Sequence, residues 1–219
     1  MREAGYRYNQ HILTILGYAL IIGIPLLFIL FNMNFYIMRM DLGGQQNLLI
    51  LFTNCLMFIL LLYPMFFLYD KSEQDEDVSL KMMVTCFVKS FGPILFMSML
   101  VMIFVYLGIA LFLLPGIILF PFLFLFPFMY EPSITIRQWI KKTISFHNEH
   151  LITIWVQILF WGCFMFLLWS AHLYLVAQFD MQPIAFAILR MVFSLLVYPF
   201  VIFGISDKII DLKREDVRK

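Results

Sequence analysis

The chain has 219 residues, of which 63% are hydrophobic and only 13% are charged, and its formal net charge at pH 7 is +1. Soluble domains are about half apolar and about a quarter charged. The composition therefore excludes an ordinary soluble domain, gives no sign of a nucleic-acid partner, and predicts an integral membrane protein whose charges lie between long apolar runs.

Several runs are long enough for a membrane-spanning helix, which needs about 20 apolar residues. Residues 90–130 carry no charge and as one helix would be about 60 Å long, about twice the hydrocarbon core of a bilayer. We therefore expect two spans there, joined by a turn at Pro115-Gly116. The six predicted spans are residues 12–31, 48–69, 91–114, 117–130, 151–176 and 184–205.

The basic residues support an even number of spans. Of the 15 Lys and Arg residues, six spans place Arg39 on one side and Arg190 inside the sixth run, which leaves 13 on the side of both termini. Cytoplasmic loops carry an excess of Lys and Arg in membrane proteins. We therefore predict a multi-pass plasma-membrane protein with both termini in the cytoplasm.

Each odd-numbered predicted span follows a segment of mixed polarity, which predicts amphipathic helices on the inner leaflet before spans 1, 3 and 5. The clearest is residues 133–147, with Ser133 as its N-cap and three basic residues directed toward anionic headgroups. These are Arg137, Lys141 and Lys142. The predicted fold is an all-α polytopic membrane protein, a single domain over residues 1–219, built as three helical hairpins and ending in a charged cytoplasmic tail at 206–219.

Four prolines interrupt the most apolar stretch: Pro115, Pro121, Pro127 and Pro132. Pro115 belongs to the predicted turn and Pro132 to the predicted membrane boundary. Pro121 and Pro127 fall inside the short fourth span, where each removes a backbone donor and frees a carbonyl that needs a partner in lipid. We expect this span to be irregular and buried among other helices, and Pro121 and Pro127 to be candidates for a pathway or partner contact.

An acidic stretch, residues 70–78, separates the second and third predicted spans. One interpretation is a solvated loop, and the other is a docking surface for a basic cytoplasmic partner such as an ATPase. The acids concerned are Asp70, Glu73, Asp75, Glu76 and Asp77.

Ionisable residues within or beside the apolar runs are few, and such residues mark functional sites. Arg190 is a candidate for a substrate or headgroup contact, or for a partner of Asp180 or Asp41. The alternative is a side chain that reaches the outer interface. His172 is a candidate ligand or a hydrogen-bonded packing residue. His147 and His150 have the spacing of metal ligands on a helix, but no third ligand lies nearby in the sequence. We expect no metal and no cofactor.

Residues 113–155, "LLPGIILFPFLFLFPFMYEPSITIRQWIKKTISFHNEHLITIW", resemble a region of bacterial six-helix membrane families, among them the membrane domain fused to some glycerophosphodiester phosphodiesterases. In those families a PGI turn precedes an apolar span, a proline, an acid and an amphipathic helix. The chain departs from them in its many phenylalanines and its acidic second loop. Because nothing in it resembles the phosphodiesterase catalytic domain, the resemblance implies a fold and no enzyme activity.

Three functions are compatible with these patterns. The first is a non-enzymatic membrane subunit of a bacterial transport or envelope complex, whose partners are membrane lipids and other membrane proteins. The second is a permease or exporter of a hydrophobic lipid or peptide that works with a separate ATPase. The third is an intramembrane lipid-modifying enzyme centred on Arg190, His172 and Asp180. We favour the first, because no catalytic motif and no pair of intramembrane carboxylates is visible.

Overall fold

The computed structural model describes residues 2–40, 45–179 and 183–218. Over these residues the chain is helical apart from short connections, and it contains no strand there. Asp180 and Asp41, the two partners that the sequence suggested for Arg190, lie outside the described residues. The helices are α1 (Arg2–Gln10), α2 (Ile12–Arg39), α3 (Gln46–Glu73), α4 (Leu80–Phe112), α5 (Leu114–Phe128), α6 (Ile136–Glu149), α7 (Leu151–Ala177) and α8 (Pro183–Arg218).

Five helices among the described residues are long and apolar enough to cross a membrane, namely α2, α3, α4, α7 and α8. The predicted fourth span corresponds to α5, which has 15 residues and a length of about 22 Å. The all-α class is thus confirmed, and the five long apolar helices are compatible with a multi-pass membrane protein. Six spans and their arrangement as three hairpins stay a prediction, because α5 is shorter than a bilayer core of about 30 Å.

The break between α4 and α5 lies at Leu113, which has a positive φ of 59°. Beyond it α5 folds back onto α4 so closely that a Cβ added to Gly108 would lie 2.5 Å from the backbone nitrogen of Gly116. Glycine at both positions permits this contact because neither helix then carries a side chain between the two backbones. Pro115 follows as one of the first residues of α5, where its missing N–H costs no helical hydrogen bond.

The two prolines inside α5 do not break it. The helix continues through Pro121 and Pro127, and both side chains are buried. Apart from Gly116, burial begins at Pro121 and extends to Met129, with Phe122 and Phe124 half-buried, whereas Ile117 and Ile118 near the turn are exposed. The segment is therefore regular where sequence analysis expected an irregular one, and it is buried over its second half only.

Two helix starts differ from the predicted ones. α4 begins at Leu80, where the Ser79 hydroxyl accepts a hydrogen bond from the Met82 amide, and it continues without a break to Phe112. The prediction of a separate surface helix before the third span is therefore wrong. α6 begins at Ile136 and not at 133, because Thr135 and Gln138 form a capping box, in which each side chain binds the other residue's backbone amide.

Two helix ends also differ from the predicted ones. α3 extends to Glu73 and closes with a Schellman motif, in which the Glu76 amide binds the Lys71 carbonyl oxygen at 3.0 Å. Asp75 supplies the left-handed residue with a φ of 55°, so the acidic loop is limited to residues 74–79. α8 continues to Arg218 as one helix, and its buried Ile209, Ile210 and Leu212 show that the helix still packs on the bundle beyond residue 206.

The core lies around α3 and α8. In the most apolar 18-residue windows of these two helices 50% of the residues are buried, whereas in α7 the share is 11%. Aromatic rings join the two central helices, for example Phe58 to Tyr198 at 5.6 Å and Tyr69 to Phe203 at 5.3 Å between ring centroids. α7 therefore lies at the edge of the bundle, with most of its apolar surface outside the protein core.

Candidate functional site

Polar side chains gather at one end of the bundle, which we name the charged end: α1, residues 70–79, α6 and residues 206–216. There the long apolar helices end in charged sequence, and residues that are far apart in the chain contact one another. The Arg7 guanidinium and the His11 ring both bind Ser72. Tyr69 donates to Asp207 at 2.6 Å. The amino-terminal helix and the end of α8 are thus fixed to the same part of α3.

A cavity of about 590 Å³ opens at the charged end between α3, α5 and α8. Its size is within the usual range for small-molecule sites, about 300–1,000 Å³. We name it the charged-end cavity. Its lining includes Tyr63, Phe66, Asp70, Phe128, Lys213 and Arg214.

The two basic residues of this cavity have different surroundings. Lys213 Nζ donates to the Phe128 carbonyl oxygen at 2.7 Å and lies 4.7 Å from the centroid of the Phe66 ring. Arg214 Nη1 lies 2.6 Å from Glu73 Oε1, in an ion pair between α8 and α3. Lys213 therefore contacts α5 at one wall of the cavity, and Arg214 contacts α3 at another.

A second cavity of about 360 Å³ adjoins the first, and both are lined by Tyr63, Phe67 and Tyr130. The rings of Tyr63 and Tyr130 meet edge to face with centroids 5.1 Å apart. On its other side the second cavity is lined by Lys81 and Lys89 of α4. An aromatic wall thus separates a cavity with both signs of charge from a basic one.

The acids of the predicted docking surface do not form one patch. Glu73 is paired with Arg214, and Glu76 is paired with Lys71 at 2.9 Å. Asp70 lines the charged-end cavity and accepts a hydrogen bond from Gln74 at 3.2 Å. The exposed remainder is the tip of the loop, with Asp75, Glu76 and Asp77.

The basic surface helix α6 is held against the protein by the face opposite its charges. Trp139 is 2% exposed and donates its ring N–H to the Phe126 carbonyl oxygen at 2.9 Å. Arg137 and Lys141 are exposed, and Lys142 pairs with Glu131. Arg137 and Lys141 are accordingly the exposed cations of α6 that take part in no salt bridge among the described residues. Their contact with headgroups stays a prediction.

The two histidines with metal-ligand spacing are separated by the structure. His147 is buried, and its ring lies 4.4 Å from that of Phe122; burial lowers its pKa. His150 Nε2 instead lies 3.0 Å from both carboxylate oxygens of Asp216. Glu149 completes a group whose ligand atoms lie within 4.8 Å of one another. Sequence reasoning missed Asp216 because it follows His150 by 66 residues; the His–Asp hydrogen bond accounts for the contact without an ion.

At the opposite end of the bundle, Arg190 and His172 belong to one aromatic cluster. The Arg190 guanidinium lies 4.7 Å above the Trp169 ring, and the His172 ring stacks on Phe193 at 4.3 Å. Arg190 also borders a cavity of about 110 Å³. Near it Asn34 donates to the Asn54 carbonyl oxygen at 3.3 Å. This arrangement stabilises a cation by an aromatic face, and the described residues around Arg190 supply no carboxylate to it.

Comparison with protein-family models, with curated proteins and with solved structures finds no match to this chain. The resemblance to the six-helix families therefore remains an expectation from the residues quoted above.

Proposed function

We propose that this chain is a non-enzymatic integral membrane subunit of a bacterial transport or envelope complex, with the charged end in the cytoplasm. The five long apolar helices support a membrane location, and the excess of basic residues beside the charged end supports the orientation. The observation that carries the role of a subunit is the exposed surface of α7.

The exposed surface of α7 has properties of a helix-packing surface. It presents small residues among its large apolar ones, and small residues let helix backbones approach closely in a membrane. A Cβ added to Gly162 would meet no atom within 4 Å, and the Cys163 thiol group is exposed. About two helical turns further on, Ser170 and Ala171 are exposed as well. This surface supports the packing of a helix from another membrane protein beside α7.

The test is extraction from native membranes in a mild detergent, followed by separation by size and identification of co-eluting membrane proteins. We expect a complex larger than the 26.0 kDa chain. Gly162→Leu should release the partner, because the new side chain separates the two helices. Gly92→Leu is the matched control, since Gly92 is also exposed, lies on α4, and would likewise meet no atom within 4 Å if it carried a Cβ. A chain that elutes alone under these conditions contradicts the proposal.

A second candidate is a permease or exporter of a hydrophobic lipid or peptide that works with a separate ATPase. The exposed tip of the acidic loop favours it, because Asp75, Glu76 and Asp77 are all exposed there. Replacing these three together by Ser should abolish co-purification of an ATPase and leave the fold intact. If an ATPase co-purifies equally well with the triple variant, the loop is not its docking site.

A further inference from the structure

Lys213 lines the charged-end cavity, and no carboxylate among the described residues forms a salt bridge with it. The salt bridges between those residues include Lys71, Lys142, Lys208 and Arg214 but not Lys213. Its hydrogen bond to Phe128 uses one N–H donor, and an ammonium group has three. A cation that is partly withdrawn from water is stable when an anion or further acceptors compensate its charge. The cavity beside Lys213 has room for such an anion.

Asp70 is the counterpart of Lys213 on α3. It lines the same cavity, and it occurs in no salt bridge between described residues. Oδ2 accepts from the Gln74 amide at 3.2 Å, whereas Oδ1 accepts no hydrogen bond from any described residue. Two opposite charges thus face one cavity without a salt bridge between them.

The cavity as a whole is balanced in charge. Two carboxylates, Asp70 and Glu131, and two cations, Lys213 and Arg214, line it. Glu131 is paired with Lys142 and Arg214 with Glu73, so Asp70 and Lys213 are the two lining charges without a salt bridge among the described residues. A ligand with one negative charge would bring that charge near the carboxylates, and a ligand with one positive charge would meet the cations. A ligand that carries both charges, a few bonds apart, satisfies both sets.

The walls and the position of the cavity indicate a lipid. Phe66, Phe67, Tyr63 and Phe128 give it aromatic surfaces, against which an ammonium group is stabilised by cation–π attraction. The cavity lies where the apolar helices end in charged sequence, which is the depth of headgroups in a bilayer. From these observations we propose that the charged-end cavity binds the amine–phosphate headgroup of a zwitterionic phospholipid, with the phosphate toward Lys213 and Arg214 and the ammonium toward Asp70.

The proposal is tested first on the unaltered protein. The purified chain is stripped of lipid in dodecyl maltoside, and its thermal midpoint is followed as phosphatidylethanolamine, phosphatidylglycerol or soluble phosphoethanolamine is added. We expect phosphatidylethanolamine to raise the midpoint at the lowest concentration. An equal effect of phosphatidylglycerol would overturn the zwitterionic headgroup, and an equal effect of soluble phosphoethanolamine would overturn the assignment to a lipid.

Two variants locate the site. Lys213→Gln and Asp70→Asn should each weaken the apparent affinity for phosphatidylethanolamine by about tenfold, the loss of one charge-assisted contact. Lys208→Gln and Asp75→Asn are the matched controls, because they make the same changes outside the cavity lining. If Lys213→Gln does not fold because it loses the hydrogen bond to the Phe128 carbonyl oxygen, Asp70→Asn alone still tests the proposal. It should remove the preference for phosphatidylethanolamine over phosphatidylglycerol, and a preserved preference would contradict the proposal.

Discussion

The hydroxyl of Tyr69 donates a hydrogen bond of 2.6 Å to Oδ1 of Asp207, and this bond joins α3 to α8 at the charged end. Tyr69 is 1% exposed, and its ring also meets Phe203. Tyr69→Phe keeps the ring contact and removes the donor. We expect the free energy of unfolding in detergent to fall by about 1–3 kcal/mol, the usual cost of a lost hydrogen bond to a charged acceptor. Tyr36→Phe, at a side chain 65% exposed, should have no measurable effect.

The contact of Gly108 with α5 predicts a cost for the smallest possible side chain. In Gly108→Ala the new Cβ would lie 2.5 Å from the Gly116 nitrogen, so the α4 and α5 backbones must move apart. We expect a loss of about 1–3 kcal/mol, typical of overpacking, measured by thermal unfolding. Gly92→Ala is the control on the same helix, with open space around it, and it should be neutral or slightly stabilising. Equal stability of the two variants would mean that α4 and α5 do not pack this closely.

The start of α6 distinguishes the predicted cap from the observed one. Thr135→Ala removes the side chain that accepts from the Gln138 amide, and we expect a loss of about 1 kcal/mol. Ser133→Ala, at the residue that the sequence favoured as cap, should change stability by less than about 0.5 kcal/mol. Limited proteolysis of the connection before α6, together with thermal unfolding, measures both. A larger effect at Ser133 would move the start of the helix to the predicted position.

The burial of His147 predicts a stability that depends on pH. Burial lowers the pKa of His147 below its ordinary value of 6.5, so the folded protein keeps the ring neutral. As pH falls through 6.5, the unfolded chain takes up a proton that the folded chain does not. The stabilising contribution is therefore complete above pH 6.5 and is lost as pH falls toward the folded pKa.

Thermal midpoints between pH 7.5 and pH 5 measure this dependence. His147→Phe, which can still stack on Phe122, should flatten the decline on the acid side. The remaining slope belongs in part to His11, whose pKa burial also lowers. An unchanged slope in the variant would show that His147 takes up its proton equally in the folded and the unfolded protein, which contradicts the lowered pKa.

The helices were readable from the sequence because each apolar run is long and is bounded by charges. Their ends were less accessible. Thr135 and Gln138 have the spacing of a capping box, so the start of α6 could have been read from that pair. The end of α3 depends on the left-handed Asp75, and only the structure shows that Asp70 and Glu73 are still helical.

The candidate site was largely beyond sequence reasoning. The ion pair of Glu73 with Arg214 joins residues 141 positions apart. The hydrogen bond from Lys213 to the Phe128 carbonyl oxygen joins residues 85 positions apart. Such partners are set by how α3, α5 and α8 pack, which no local pattern encodes. Arg190 and His172 were visible as rare ionisable residues, but their common aromatic cluster was not.

The close pairing of α4 and α5 also bears on how the chain is inserted during synthesis. α5 is short, it follows α4 after a single residue, and its glycine contact needs α4 already in place. We expect the two helices to leave the insertion machinery as one unit, with α4 entering the bilayer first and α5 following along its surface. The α4–α5 unit would then become stable only after synthesis has passed Phe128, and until that point α4 would lie in the bilayer without α5 beside it.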